Sequence, residues 1–222
     1  MIGDSTMADK PVIPENPERG WGQLLPLYFE ASVTIDNHAV NGRSSKSFRD
    51  EGRWDVVLQR MKEGDWVIIQ FGHNDEKPDQ ARHTDPYGTY TANLKQYVQD
   101  TRDRGAYPIL ATPVERRKFD DNGKVLPTHG DYPQAVRDLA KQLDVPLLDM
   151  TRRSRELLTR LGPDQSQRLF IWTKPGEYTR FPDGNRDDTH FNALGATRIC
   201  DLAVEDIQAH ILQLATLLKG KH

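Results

Sequence analysis

Cysteine is almost missing from the chain: Cys200 is the single one in 222 residues. An intrachain disulfide is therefore excluded, and cysteine pairing gives no reading of compartment. The flanks of that thiol, TRICDLAVEDI, carry the apolar spacing of an amphipathic helix, so it reads as a buried core group. No apolar run is long enough to span a bilayer. Neither sign of charge dominates, with 30 Lys and Arg against 33 Asp and Glu and a net charge of -3. The basic residues are scattered except for ERRKF (Glu115 to Phe119), which argues against a nucleic-acid surface. A His-Glu-x-x-His pattern is absent. The stretches GHND and DDTH do hold His73, Asn74, Asp75, Asp187, Asp188 and His190, a rival metal set. Their spacing matches no common ligand pattern and Asn74 is a poor partner for zinc, so no metal is expected. No charged and apolar leader precedes Ile2, so any export signal is either lacking or already removed.

What is present is the composition of a globular protein, 28% charged and 36% hydrophobic, with no low-complexity linker. A single domain over residues 1–222 is expected. Four apolar runs read as buried parallel strands: VTIDNHAV (Val33 to Val40), WVIIQFG (Trp66 to Gly72), YPILATPV (Tyr107 to Val114) and VPLLDM (Val145 to Met150). Helical patterns lie between them, in GWGQLLPLYFEAS, SKSFRDEGRWDVVLQRMK, YGTYTANLKQYVQDTRDRG and YPQAVRDLAKQLD, with a long last helix through NALGATRICDLAVEDIQAHILQLATLL. The alternation predicts a three-layer α/β/α sandwich on a doubly wound, mostly parallel sheet. Met1 and Ile2 alone are short for a central strand, so the numbering is expected to open inside a longer first strand. In RRKFDDNGKVLPTHGDY, Asn122-Gly123 predicts a type I′ hairpin turn projecting from the sheet edge. RLFIWTKPGEYTRFPDGNRDD reads as a long irregular stretch, of the kind that builds a binding surface or lid.

Ligands in such sheets collect beyond the carboxyl ends of the strands, so the loops after each apolar run matter most. A serine hydroxyl there needs a base to take its proton, and histidine has the fitting pKa. GDST supplies Ser5 and DDTH supplies His190. Asp187, three residues before His190, can reach the near ring nitrogen on one turn and fix the tautomer. Asp188 is the competing orienter, but an adjacent residue points to another side of the turn. An acyl transfer also needs donors aimed at the developing oxyanion. The Ser5 and Gly42 backbone N–H groups and the Asn74 amide are the candidates. Each element alone is ordinary turn chemistry; their joint order is not.

GDST, NGRSSKSF, GHND and Asp-x-x-His, in that order, resemble the four blocks of the SGNH (GDSL-like) hydrolases. The extended forms GDSTMADK, GWGQ, QFGHNDEK and DDTHFN are most similar to rhamnogalacturonan acetylesterases of carbohydrate esterase family 12, and the blocks span residues 2–191. The resemblance implies a flavodoxin-like topology and Ser5 as nucleophile. It implies Asp187 and His190 as the rest of a triad, and Ser5, Gly42 and Asn74 as the oxyanion hole. It implies no cofactor, an acetylated polysaccharide or oligosaccharide as substrate, and a place of work outside the cytoplasm, extracellular or periplasmic. Neither nucleic acid nor membrane is expected as a partner, and oligomeric state is left open.

For a galacturonate-containing substrate, cationic and aromatic groups are expected near the strand ends. His83, Arg116, Trp172 and Tyr178 are the candidates, with Arg82, Arg117 and Lys118 beside them; solvated loop charges and packed aromatics account for them as well. Three alternatives stand beside the pectin esterase reading. The same triad could serve acetylated xylan, a small acyl ester or a lipid; the groove could be a noncatalytic carbohydrate-binding module; or the two His-Asp stretches could hold a metal.

Overall fold

The computed structural model describes residues 1–220. Its frame is a four-stranded, all-parallel sheet in the order β1-β2-β3-β4. The strands are β1 (Ile2–Gly3), β2 (Trp66–Gln70), β3 (Tyr107–Ala111) and β4 (Leu147–Leu148). In β2 and β3 the apolar run is continuous because both faces are covered, and the two-residue period sends neighbours to opposite layers. Ile68 and Ile109 belong to one core with Trp21, Met150, Leu157, Ile199 and Ile207. Ile69 and Leu110 belong to the other with Phe48, Trp54, Tyr97, Val136 and Leu139.

The first core is closed by α1 (Trp21–Leu24), α6 (Met150–Ser166) and α7 (Ala193–His210). The second is closed by α2 (Ser45–Asp50), α3 (Arg53–Arg60), α4 (Thr91–Asp103) and α5 (Tyr132–Leu143). A short α8 (Leu212–Ala215) ends the chain's regular structure. This is the three-layer α/β/α arrangement. Cys200 is fully buried on α7, its thiol donating to the Trp21 carbonyl at 2.9 Å, and burial pushes its pKa up. Among the described residues no helix is long and apolar enough to cross a membrane.

Several local expectations need correction. Val33 to Val40 forms no regular strand. It runs beside β1 and gives two ladder-like bonds, His38 N–H to the Met1 carbonyl at 2.9 Å and Val40 N–H to the Gly3 carbonyl at 3.0 Å. The Asn37 side chain interrupts the ladder by accepting from the Ala39 N–H and donating to the Met7 carbonyl, the usual competition of a short polar side chain with regular pairing. With this segment counted as an edge, the sheet order is flavodoxin-like. The expected helix after Ser44 is two, α2 and α3, parted where Gly52 takes φ 70°. Helix α6 lies outside the expected helices; its charge-rich sequence anchors through Met150, Leu157 and Leu158 and breaks at Gly162-Pro163.

The stretch before His190 is ordered rather than irregular. There β5 (Phe170–Thr173) and β6 (Asn185–Phe191) form an antiparallel pair, leaving only residues 174–184 as loop. Asn122-Gly123 does form a hairpin, but not of type I′: only Gly123 has positive φ, at 75°. Asp120 Oδ1 accepts from both the Asn122 and Lys124 N–H groups, which gives a three-residue loop with a single left-handed position. Val125 of this hairpin is buried against the core instead of projecting.

Helix α7 follows β6 directly, and Gly195 lets it approach the turn before β5, at Leu169. A Cβ at that position would lie 1.9 Å from the Leu169 carbonyl oxygen, which is backbone and cannot swing away. Gly195→Ala is expected to destabilise the fold by about 1–3 kcal/mol through overpacking. Urea unfolding checks this as a lower midpoint at unchanged slope; a wild-type midpoint would contradict the close approach.

Candidate active site

Ser5 stands at the carboxyl end of β1, in a turn closed by Met7 and Ala8 N–H groups donating to the Asp4 carbonyl at 3.2 and 3.0 Å. The strand before it must lie close to β2, since a Cβ on Gly3 would come within 2.7 Å of the Gln70 carbonyl oxygen. His190 arrives from the opposite end of the chain. Phe170 pairs with Phe191 while Ile171 pairs with Asp187, so one step along β5 matches four along β6. Asp188, Thr189 and His190 are thereby pushed out as an irregularity of the kind that re-aims side chains. Asp187 Oδ1 ties the protrusion by accepting from the Thr189 and His190 N–H groups at 2.7 and 2.9 Å. Its Oδ2 lies 2.7 Å from His190 Nδ1, and His190 Nε2 lies 2.9 Å from Ser5 Oγ.

Burial raises the Asp187 pKa, but the His190 hydrogen bond and charge, with the two backbone donors, outweigh it and hold the carboxyl at about 2. It is thus ionised wherever His190 would act as a base. Asp188 points elsewhere. Its Oδ1 accepts from Arg117 Nη1 and Trp172 Nε1, both at 2.8 Å, and its carbonyl accepts from the Arg117 N–H at 2.9 Å. Arg117 and Arg186 both lie over the Trp172 ring, at 4.9 and 5.6 Å. Trp172 therefore backs the protrusion that carries His190.

The candidate donors Gly42 and Asn74 lie past the 33–40 segment and past β2. Gly42 sits at φ 76° in the turn Val40–Arg43, where its missing Cβ would meet nothing within 4 Å, so conformation and not space calls for glycine. Asn74 follows β2 and is buried; its Nδ2 donates to the Arg43 carbonyl at 3.1 Å. That uses one of two amide hydrogens and leaves the other for a ligand. Arg82 Nη1 lies 3.4 Å from Asn74 Oδ1, and the same guanidinium pairs with Asp79.

Two buried carboxylates join these turns: Asp4, which the family resemblance implies holds the neighbouring loop, and Asp75, whose supporting role was not legible in the sequence. Asp4, fully buried, accepts from the Thr6 N–H at 3.0 Å and hydroxyl at 2.8 Å, and its Oδ2 lies 3.3 Å from His73 Nδ1. Burial raises the Asp4 pKa, yet His73 and the Thr6 donors hold it at about 2; burial in turn lowers His73 to about 4. Asp75 accepts from the Ser45 N–H and hydroxyl and from the Thr84 hydroxyl. Its burial dominates those donors and raises its pKa to about 7. For Asp75 the only hint in the sequence was adjacency to Asn74.

The proposed substrate contacts are less uniform. His83 is exposed, with Nδ1 3.0 Å from the Lys77 carbonyl. Tyr178 is half-buried in the 174–184 loop, where it bridges to Phe181. Arg116 is committed to protein partners, pairing with Glu76 and donating toward the Thr128 and His73 carbonyls at 3.3 and 3.4 Å. The rival metal set disperses: among the described residues no three His, Cys, Asp or Glu side chains are placed to hold an ion. A cavity of about 490 Å³ opens at the other end of the sheet, lined by Val33, Ile35, Trp66 and Val67, and touches none of Ser5, Gly42, Asn74, Asp187 or His190.

Residues 1–198 match the model of the GDSL-like Lipase/Acylhydrolase family. The chain belongs to that family. It is 42% identical over 208 residues to the rhamnogalacturonan acetylesterase RhgT of Bacillus subtilis, covering 94% of this chain and 88% of that one. A probable rhamnogalacturonan acetylesterase of the same bacterium, YesY, is 34% identical over 209 residues, covering 94% and 91%. Among solved structures, the Bacillus subtilis protein YxiM superposes with a TM-score of 0.80 at 25% identity; the match covers 94% of this chain and 55% of that one. An acetylxylan esterase of Geobacillus stearothermophilus, Axe2, gives a TM-score of 0.65 at 20% identity over 93% and 91% of the two chains. At that identity the likeness speaks for the fold alone.

Because the Asp187 pKa is lower folded than its ordinary value of 3.8, the group adds stability that is fully present above about pH 4 and fades as pH falls through about 2. Asp187→Asn is expected to lose on the order of 2 kcal/mol at pH 6 and almost nothing near pH 2. Urea unfolding of both proteins across that range checks it; a difference independent of pH would contradict the assigned charge.

Proposed function

We propose that the protein is a serine carboxylic ester hydrolase that removes O-acetyl groups from pectin-type polysaccharide, rhamnogalacturonan in particular. The observation that carries the reaction type is the unbroken contact Asp187–His190–Ser5, at 2.7 and 2.9 Å, between residues 185 positions apart. Support for the substrate comes from the 42% identity with RhgT over nearly the whole chain.

In this reading Ser5 Oγ attacks the acetyl carbonyl carbon as His190 Nε2 takes its proton. The ionised Asp187 keeps the imidazole in the tautomer with the proton on Nδ1 and stabilises the imidazolium. The carbonyl oxygen becomes an oxyanion among the Ser5 N–H, the Gly42 N–H and the free Asn74 amide hydrogen. Collapse of the tetrahedral intermediate expels the sugar oxygen, which receives the proton from His190 and leaves as a hydroxyl. Water then attacks the acetyl-enzyme with His190 again as base, releasing acetate and restoring Ser5. His83 and Tyr178 are assigned to the glycan, since both retain exposed surface. Arg116 and Trp172 support the site from behind through the protein contacts given above.

Acetate release from acetylated rhamnogalacturonan tests the reading, with acetylated xylan and a long-chain ester as parallel substrates. Wild type is expected to favour the first, and Ser5→Ala to lose the activity while keeping its urea midpoint. A serine-directed phosphonate should add mass to the peptide holding Ser5. Asp187→Asn should lower kcat by roughly 10³–10⁴-fold with little change in KM. Turnover retained in Ser5→Ala would end the proposal; preference for xylan would move the substrate and keep the chemistry.

A further inference from the structure

The turn that carries Gly42 has an orientation problem that its glycine cannot solve. Arg43 N–H donates to the Val40 carbonyl at 3.3 Å, and Gly42 sits at φ 76°. Asp144 is the one non-glycine residue with positive φ among the described residues, so Asn41 keeps a negative φ and the turn is of type II. Types I and II differ mainly by a flip of the central peptide, and glycine in the third position accepts either. A trans peptide points its N–H opposite to its C=O. Whatever holds the Asn41 carbonyl therefore also aims the Gly42 N–H.

Arg43 Nη1 donates to that carbonyl at 2.9 Å. The guanidinium is itself fixed, its Nε lying 3.0 Å from Glu51 Oε2. On the other side Lys10 Nζ donates to Asn41 Oδ1. Lys10 is only 4% exposed and its ammonium pairs with Glu18 Oε1 at 2.7 Å. The peptide between residues 41 and 42 is thus gripped at its carbonyl and at the side chain of its first residue, by two cations each tied to a carboxylate.

We propose that Arg43 is a positioning residue that keeps the Gly42 N–H turned toward the oxyanion, with Lys10 bracing Asn41. This rests on the reading of Gly42 as an oxyanion donor. No contact between Arg43 and substrate is required. Without the guanidinium the central peptide samples both orientations, and the donor is absent for part of the time.

The test uses the whole protein and Arg43→Ala, with Arg43→Lys as the variant that keeps a charge at the site. The Arg43 side chain is 32% exposed, so both are expected to fold, and urea midpoints check that. Loss of a single oxyanion donor costs about 10²–10³ in kcat, so partial loss predicts a drop on the order of tenfold to hundredfold in Arg43→Ala with KM nearly unchanged. Guanidinium ion at non-denaturing concentration should restore part of kcat where sodium chloride of equal ionic strength does not. The Gly42 amide resonance, recorded without substrate, should shift in Arg43→Ala and less in Arg43→Lys. Arg43→Ala with wild-type kcat, a loss in KM alone, or a loss in kcat with the Gly42 resonance unmoved would each overturn the proposal. Should the wild type release no acetate and its Ser5 take no phosphonate, the esterase reading fails. The Gly42 resonance then decides the clamp alone, a shift upholding it and an unmoved signal overturning it.

Discussion

A buried carboxylate beside Ser5 sets the terms for this site. Asp4 is fully enclosed, and an ion in that position survives only where donors replace the water it has lost. Thr6 supplies that replacement at one oxygen, and His73 Nδ1 lies 3.3 Å from the other. Thr6 in turn accepts from Gln70 Nε2 at 2.8 Å, and Gln70 Oε1 accepts from Trp21 Nε1 at 3.0 Å. One polar chain therefore runs from the middle of the first core to the residue before Ser5. The Ser5 turn cannot drift without stranding a charge, and the same charge reaches His73, which directly precedes Asn74.

The imidazole side is held by a different device, a division of labour between neighbouring acids. Asp187 and Asp188 are adjacent in sequence, yet the protrusion in β6 sends the first to His190 and the second to Arg117 and Trp172. Arg117 also reaches Ser166 Oγ at 3.1 Å, near the end of α6. The strand that carries His190 is thereby clamped to a helix on one side while α7 packs behind it. Two carboxylates so close would each resist ionisation of the other; separate hydrogen-bond donors for each, His190 for Asp187 and Arg117 with Trp172 for Asp188, ease the conflict.

Much of this could be read from residues alone. The strands β2 and β3 were legible because burial on both faces leaves an unmistakable apolar run. The order GDST, NGRS, GHND and Asp-x-x-His was legible because each lies just past a strand or before a helix. Asp187 could be chosen over Asp188 from spacing, and the chain sends them as that spacing suggested. What stayed hidden depends on partners distant in sequence. The pairing of β5 with β6 crosses an eleven-residue loop (174–184) rich in Gly and Pro, and local pattern says nothing of what lies beyond it. Helix α6 hides its few apolar anchors among arginines. Trp172 and Arg116 looked like substrate contacts by type and place, and only tertiary structure assigns their polar atoms to Asp188 and Glu76.

The side of the site that holds Gly42 and Asn74 depends on a second buried acid whose situation is opposite to that of Asp4. Asp75 meets donors from Ser45 and Thr84 but no cation, so burial dominates and its pKa rises to about 7. A carboxyl whose folded pKa exceeds its ordinary value of 3.8 favours the fold while protonated, and that contribution is lost as pH climbs through about 7. The arrangement of donors, however, suits the ionised form, since three of them converge on acceptor oxygens. Near neutrality the group that ties the Ser45 turn to the Asn74 loop is balanced between a form the low-polarity surroundings prefer and one the hydrogen bonds prefer. Asp4, held at about 2 by His73 and the Thr6 donors, keeps its charge and its hydrogen bonds beside Ser5 over a wide pH range. Asp75 instead changes protonation near neutrality, so its tie between Ser45 and the Asn74 loop responds to pH where the hydrogen bonds of Asp4 do not.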